Sequence, residues 1–256
     1  MIHKSVLNVC FIVLVVISSA GFGSENSGNQ AQTAVKCFGK EGVERFEQMF
    51  QTGEFDFHYR NEGSKCSVIH YAARQGDLNR VKLLVEKGAD VNEKDDYKSR
   101  VLHYAVESGN LEVVQLLVEK GADVKTIGVL HSAAQSGNLK LVQWLVKQGA
   151  DAKAVGVLHL AARSGNLKLV EWLVKQGANV KAKDEKNRTV LHDAALSGNL
   201  KLMQWLIEQG LDVHAKDNNG WTVLHDAALS GNMKLMQWLI EQGLDVHAKS
   251  ASGITP

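Results

Sequence analysis

The chain has 256 residues, a formal net charge of +1 and 45% hydrophobic residues, with 23 glycines, three cysteines and one proline. Modest glycine and scarce proline exclude collagen-like and proline-rich disordered chains, and three cysteines are too few for a disulfide-dense scaffold. A balance of charge near zero gives no global reason to expect nucleic acid, and the length suits one or two ordinary domains.

Residues 1–20 read as an address. Lys4 gives a positive start, Val6 to Ile17 is an apolar run of 12 residues broken only by Asn8, and Ser18, Ser19 and Ala20 follow as small residues. This is the layout of a secretory signal peptide, cleaved after Ala20. A retained membrane anchor is the alternative, although the run falls short of the ~20 residues that span a bilayer. Cys10 lies inside the run, too early for lipid attachment. Residues 21–34 are small and polar and form a flexible spacer.

Residues 35–66 carry a degenerate capping unit. Val43 to Gly53 lines up with Leu78 to Gly88 at an offset of 35, as the second helix of a pair whose first helix would occupy residues 35–40. Phe38, Phe46, Phe50, Phe55 and Phe57, five of the seven phenylalanines, close that end of the core.

From residue 67 to 249 the chain repeats itself. The block Thr189 to Lys216 recurs from Thr222 to Lys249 with one change, Leu200 to Met233. Weaker copies precede it, marked by His70, His103, His131, His159, His192 and His225 at spacings of 33, 28, 28, 33 and 33. In each copy an apolar and alanine-rich stretch at helical spacing predicts one short helix. Ser-Gly-Asn breaks it, and Leu200, Leu202, Met203, Leu206 and Ile207 in the fifth copy predict a second amphipathic helix ended by Gly210. Asn218-Asn219-Gly220 marks a tight turn in the connector. A lone pair of such helices cannot bury its apolar faces, so copies must stack.

The motif T-x-L-H-x-A-A-x-x-G-N-L, continuing to G-A-D-V, resembles the ankyrin repeat, and it appears six times over about residues 67–249. The resemblance implies an all-α solenoid of stacked helix-turn-helix units with short β-hairpin finger loops. Two departures stand out. Valine replaces the family's proline at Val68, Val101, Val129, Val157, Val190 and Val223, which loosens the first helical turn slightly. His131 follows Gly121, and His159 follows Gly149, by 10 positions where other junctions have 15. Two consecutive fingers are therefore truncated, leaving a notch at the third and fourth repeats.

No catalytic set emerges: Asp193 and Asp226 are single carboxylates copied by duplication, and no nucleophile or phosphate-loop motif is present. The chain therefore reads as a non-enzyme. In this family the histidine of L-H-x-A-A is a structural hydrogen-bonding residue, and successive copies sit too far apart to share one tetrahedral ion, so no metal and no cofactor are expected. Trp144, Trp172, Trp205 and Trp238 fall at one position of the second helix and read as packing between adjacent helices, with an exposed aromatic ridge as the other reading. In an exported chain the pair Cys37 and Cys66 invites a disulfide. Register makes them neighbours in the stack, and the open requirement is the Cα spacing of ~5.5 Å that a bridge needs.

Residues 21–124 carry net charge −4, residues 125–188 carry 11 basic and four acidic groups, and residues 189–256 carry net −3. The basic centre coincides with the missing fingers. It reads either as a solvated lysine face at Lys140, Lys147, Lys168 and Lys175 or as the seat of an acidic partner.

The family binds proteins through variable residues of the fingers and first helices. By register these are Asp96, Tyr97, Ser99 and Glu107 in the second repeat, Gln135 and Arg163 in the fingerless pair, Glu185, Lys186, Arg188 and Leu196 in the fifth, and Asn218, Asn219, Trp221 and Leu229 in the sixth. Tyr97 and Trp221 are the expected aromatic anchors. The function expected is an exported module that binds another protein, in a bacterial periplasm or secreted medium, or outside a eukaryotic cell. The alternatives are a scaffold held in the membrane by an uncleaved first segment and a binder of acidic or nucleic-acid ligands through the basic centre. No small-molecule substrate is expected. Acidic flanks and the lack of interleaved exposed aromatics argue against nucleic acid. Ser250 to Pro256 matches Asp217 to Val223 and keeps the family's Thr-Pro, so it reads as the opening of a seventh repeat that stops short, either a truncation or an end that a partner covers or that frays.

Overall fold

A computed structural model of the chain describes residues 38–126 and 128–256. The signal segment, the spacer and Cys37 lie outside the described residues, and so does any pairing of Cys37 with Cys66. The described residues form two compact units, residues 38–108 and residues 109–256. The described part is helical, with short isolated bridges instead of a sheet.

The first unit holds α1 (Lys40–Thr52), α2 (Val68–Gln75), α3 (Leu78–Glu86) and α4 (Val101–Ser108). Its core is aromatic. Phe38 meets Phe46 at 6.1 Å and Tyr71 at 5.3 Å between ring centroids, both edge-on, and Phe46 lies 5.3 Å from Tyr71. Such edge contacts suit the quadrupoles of the rings as well as removing large apolar areas from water. The Tyr71 hydroxyl at this core is satisfied: Tyr71 Oη donates to Glu47 at 2.8 Å, and Arg80 clamps the same carboxylate at 2.6 and 2.9 Å.

The second unit holds α5 (Leu111–Glu119), α6 (Val129–Gln135), α7 (Leu139–Lys147), α8 (Val157–Arg163), α9 (Leu167–Lys175), α10 (Val190–Leu196), α11 (Leu200–Glu208), α12 (Val223–Ser230) and α13 (Met233–Glu241). The first helices α6, α8, α10 and α12 pack side by side, each against its own second helix. Small pairs such as Ala161-Ala162 and Ala194-Ala195, all fully buried, let those backbones approach closely. Leu169, Leu173, Leu202, Leu206, Leu235 and Leu239 of the second helices are also fully buried, each removing enough apolar surface to stabilise the fold by about 1.5–3 kcal/mol. Trp144, Trp172, Trp205 and Trp238 are half-buried along the second helices.

The Ser-Gly-Asn break does three jobs at once. Ser197 Oγ donates back to Ala194 O at 2.6 Å, and Asn199 Oδ1 accepts from Leu202 N at 3.1 Å as the N-cap of α11. Asn199 Nδ2 then donates to Gly165 O of the preceding repeat at 2.7 Å, and Asn166 to Gly137 and Asn232 to Gly198 do the same at 2.7 Å. Gly198 has φ +70°, which favours glycine, and a Cβ there would stand 3.3 Å from Asn232 Cβ, a tight contact with the neighbouring repeat. The break is thus a ladder of hydrogen bonds running from repeat to repeat.

The connectors form fingers where the sequence is long enough. Isolated antiparallel bridges join Lys94 to Arg100, Lys183 to Thr189 and Lys216 to Thr222. At the two short junctions α6 and α8 begin instead at Gly128 and Gly156, which sit at φ +96° and +89° and offer no side-chain cap.

Candidate partner-binding site

The three bridged fingers are each built on one carboxylate, Asp95, Asp184 or Asp217. In the first unit Asp95 N donates to Ser99 O at 3.0 Å, and Asp95 Oδ1 accepts from Ser99 N at 2.7 Å. The chain turns between them with Lys98 at φ +64°. The other oxygen, Asp95 Oδ2, accepts from Tyr104 Oη on α4 at 2.6 Å, and that phenol lies 3.1 Å from Cys66 Sγ. Burial holds the Tyr104 hydroxyl protonated far above the ordinary phenol range, so it stays a donor that anchors the finger to the helix. Asp96 N reaches across to Ser64 O of the preceding connector at 3.1 Å.

The turn throws Tyr97 outward with 73% of its surface exposed. Beneath it lies a groove of about 460 Å³ lined by Ser64, Arg74, Tyr97, Ser99, Tyr104 and Glu107 among others. Arg74 pairs with Glu107 and stands 5.8 Å from the Tyr104 ring centroid. Three residues expected from the sequence, Tyr97, Ser99 and Glu107, thus meet in one groove. Asp96 is exposed beside it. Arg74 and Tyr104 were not anticipated; the one signal is Tyr104, at a position where the later copies carry Ser132, Leu160, Asp193 and Asp226.

In the second unit the expected residues divide into two groups. Glu185, Lys186, Asn218 and Asn219 are exposed at finger tips, linked by Asn218 N donating to Lys186 O at 3.0 Å. Gln135, Arg163 and Leu229 are exposed near the ends of first helices, one per repeat, with Leu196 half-buried in the same row. Arg188 and Trp221 turn inward. Both donate to Asp226, Arg188 at 3.2 and 3.3 Å and the Trp221 indole at 3.0 Å, while the indole ring lies tilted against His225 with centroids 4.6 Å apart. Burial raises the Asp226 carboxyl to about 6 against the pull of Arg188. Trp221 is therefore a half-buried finger brace, where Tyr97 is a free tip.

The histidines separate in the same way. His70, His103, His192 and His225 each accept through Nδ1 from the backbone N–H that opens their helix, at 3.0–3.2 Å. His192 and His225 then use Nε2 to reach the next finger's carbonyl, Trp221 O at 3.3 Å and Ile254 O at 3.0 Å. The fingerless repeats break this pattern. His131 Nε2 bonds Val155 O at 2.7 Å, and buried His159 turns Nδ1 to Asp193 Oδ2 at 2.8 Å. The sequence signal was the glycine at 128 and 156 where the longer copies carry Ser67, Arg100, Thr189 and Thr222. Among the described residues no group of three or more His, Cys, Asp or Glu side chains is arranged to hold a metal ion, and no helix is long and apolar enough to cross a membrane.

Residues 33–128 and 158–250 match the family model for ankyrin repeats in three copies, and residues 130–174 match that for ankyrin repeats in many copies. The chain belongs to the ankyrin-repeat family. Among solved structures, the ankyrin repeat domain of human ASB11 is similar at 27% identity and a TM-score of 0.61, over 74% of this chain and 90% of that one. No curated protein matches the chain. Ankyrin repeats generally mediate protein–protein interaction and are typically non-enzymatic.

Proposed function

We propose that the chain is an exported module that binds a protein partner through its fingers and first helices and performs no chemistry of its own. The observation that carries this reading is the groove under Tyr97. A large planar side chain stands free above a wall formed by the Arg74–Glu107 pair, the arrangement of an anchor over a polar rim. Export rests on the charged, apolar and small-residue order of residues 1–20.

Two measurements test it. A photo-crosslinking residue at position 97 should trap a protein from the exported fraction, and the same residue at Lys82, exposed on α3, should not. Tyr97→Ala should then weaken that partner about tenfold, the ~1.4 kcal/mol expected of an anchor. Equal trapping at both positions, or unchanged affinity, would overturn the assignment. N-terminal sequencing of the exported protein should begin at Gly21. A start at Met1 in a membrane fraction would replace export with anchoring.

A further inference from the structure

The second unit carries a second surface, on the ends of its second helices and the turns that follow them, that the groove under Tyr97 does not use. Lys147 and Lys175 lie in the last turns of α7 and α9, and Lys120 is the C-cap of α5. Lys125, Lys153 and Lys181 occupy one register position just beyond. All six are exposed, and among the described residues no ion pair holds any of them.

The latter three are directed. Lys125 Cε lies 3.4 Å from where a Cβ on Gly149 would stand, Lys153 Cε 2.8 Å from that of Gly177, and Lys181 Nζ 3.8 Å from that of Gly210. Lys125 and Lys153 therefore lay their stems across the glycine that ends the next repeat's second helix, and Lys181 brings its ammonium to the equivalent glycine. There the partial negative charge of the helix C-terminus favours an ammonium, and the missing side chain leaves the stem its path. The result is a row of cations held one repeat apart, a step of about 8–10 Å between packed helices.

The neighbouring acids do not cancel it. Asp123 and Asp151 turn an oxygen to the backbone N–H groups of Lys125 and Lys153 at 2.9 Å, and at the third step Asn179 replaces the acid. Glu119 lies beside Lys120 at one end of the row, and at the other Asp212 follows Gly210 and turns an oxygen to His214 N–H at 2.9 Å. In the fifth and sixth repeats the register of Lys147 and Lys175 passes to Glu208 and Glu241, and that of Lys181 to His214 and His247, so the row is bounded.

We infer that this lysine row is a docking surface for an acidic polypeptide segment, separate from the groove under Tyr97. The fit is one of spacing. A segment in the polyproline II conformation has three residues per turn and rises about 3.1 Å per residue, so acidic side chains at every third position share one face about 9 Å apart and meet successive lysines. Exposed charges of this kind set association rate and salt dependence more than shape does.

The probe is a fluorescent 15-residue peptide with Glu at every third position and Gly or Ser between, titrated into the full exported chain at 20, 100 and 300 mM NaCl. The wild type should bind it, with affinity falling steeply as salt rises. The triple change Lys125→Gln, Lys153→Gln and Lys181→Gln should weaken binding at 20 mM by at least tenfold and flatten the salt response. The Arg triple should retain binding, and Tyr97→Ala should leave it unchanged. All three positions are exposed, and far-UV circular dichroism checks that each variant keeps the wild-type helix content. Failure of the wild type to bind, or equal binding by the Gln triple, would overturn the proposal. A single-stranded oligonucleotide that binds tenfold tighter than the peptide and is lost in the Gln triple would overturn it in favour of nucleic acid.

Discussion

A single histidine per repeat shows how much one backbone contact decides. In His192 the bond accepted by Nδ1 from Thr189 N–H fixes the proton on Nε2, which then has one useful direction, toward the next finger's carbonyl at Trp221. Removing that ring leaves a helix-opening N–H and a finger carbonyl without it. His192→Ala should therefore cost about 1–3 kcal/mol in urea unfolding, with an unchanged m-value. His131→Ala, whose ring serves one exposed carbonyl, should cost under ~1 kcal/mol by the same measurement. His159→Ala should cost more than His131→Ala, because it strips the partner from buried Asp193. Lys98 offers a change of the opposite sign. It holds φ +64° on an exposed turn, so Lys98→Gly should raise stability by about 1 kcal/mol, and Asn187→Gly at φ +62° should gain less because asparagine tolerates that region.

At the scale of an element, the Ser-Gly-Asn break and the finger are the two joints of a repeat, and they differ in how openly the sequence announces them. The break was legible as a helix stop. Its second role, tying Asn199 to Gly165 in the repeat before, was not, because nothing in a local pattern says where a side-chain amide goes after it has capped its own helix. Asn199→Ala should lose both bonds, about 2 kcal/mol in thermal or urea unfolding, where Asn199→Asp should keep the cap and lose only the part due to Gly165. Finger length was legible to the residue. The consequence of its loss was not: without a Thr cap and a returning strand, the His159 ring turns from its own backbone to Asp193. Trp221 also escaped a purely local reading. Its chemistry suggested an anchor, but buried Asp226 needs donors, and the indole N–H and Arg188 supply them.

At the scale of the whole molecule, two buried groups respond to acid in opposite senses. Burial lowers His70 from 6.5 to about 4. Between those values the unfolded chain takes up a proton that the folded chain refuses, so this contribution is complete above pH 6.5 and is lost as pH falls toward 4, about 3 kcal/mol in all. Asp226 is raised from 3.8 to about 6, so its contribution is present below pH 3.8 and is lost as pH rises through 6. His70→Gln isolates the first contribution. Its stability should fall less steeply than the wild type's between pH 6 and 4.5, by up to ~1.4 kcal/mol per pH unit, and parallel curves would show that His70 does not carry the response. The sequence by itself determined the period, the helix pairs, the missing fingers and the family, because each rests on spacing along the chain, which burial of one helical face enforces copy by copy. Only the tertiary structure decided which candidates share a groove, which face inward and where the lysine stems lie. Those outcomes depend on what the next repeat places opposite each side chain, and partners 24 to 38 positions away leave no mark in a local pattern.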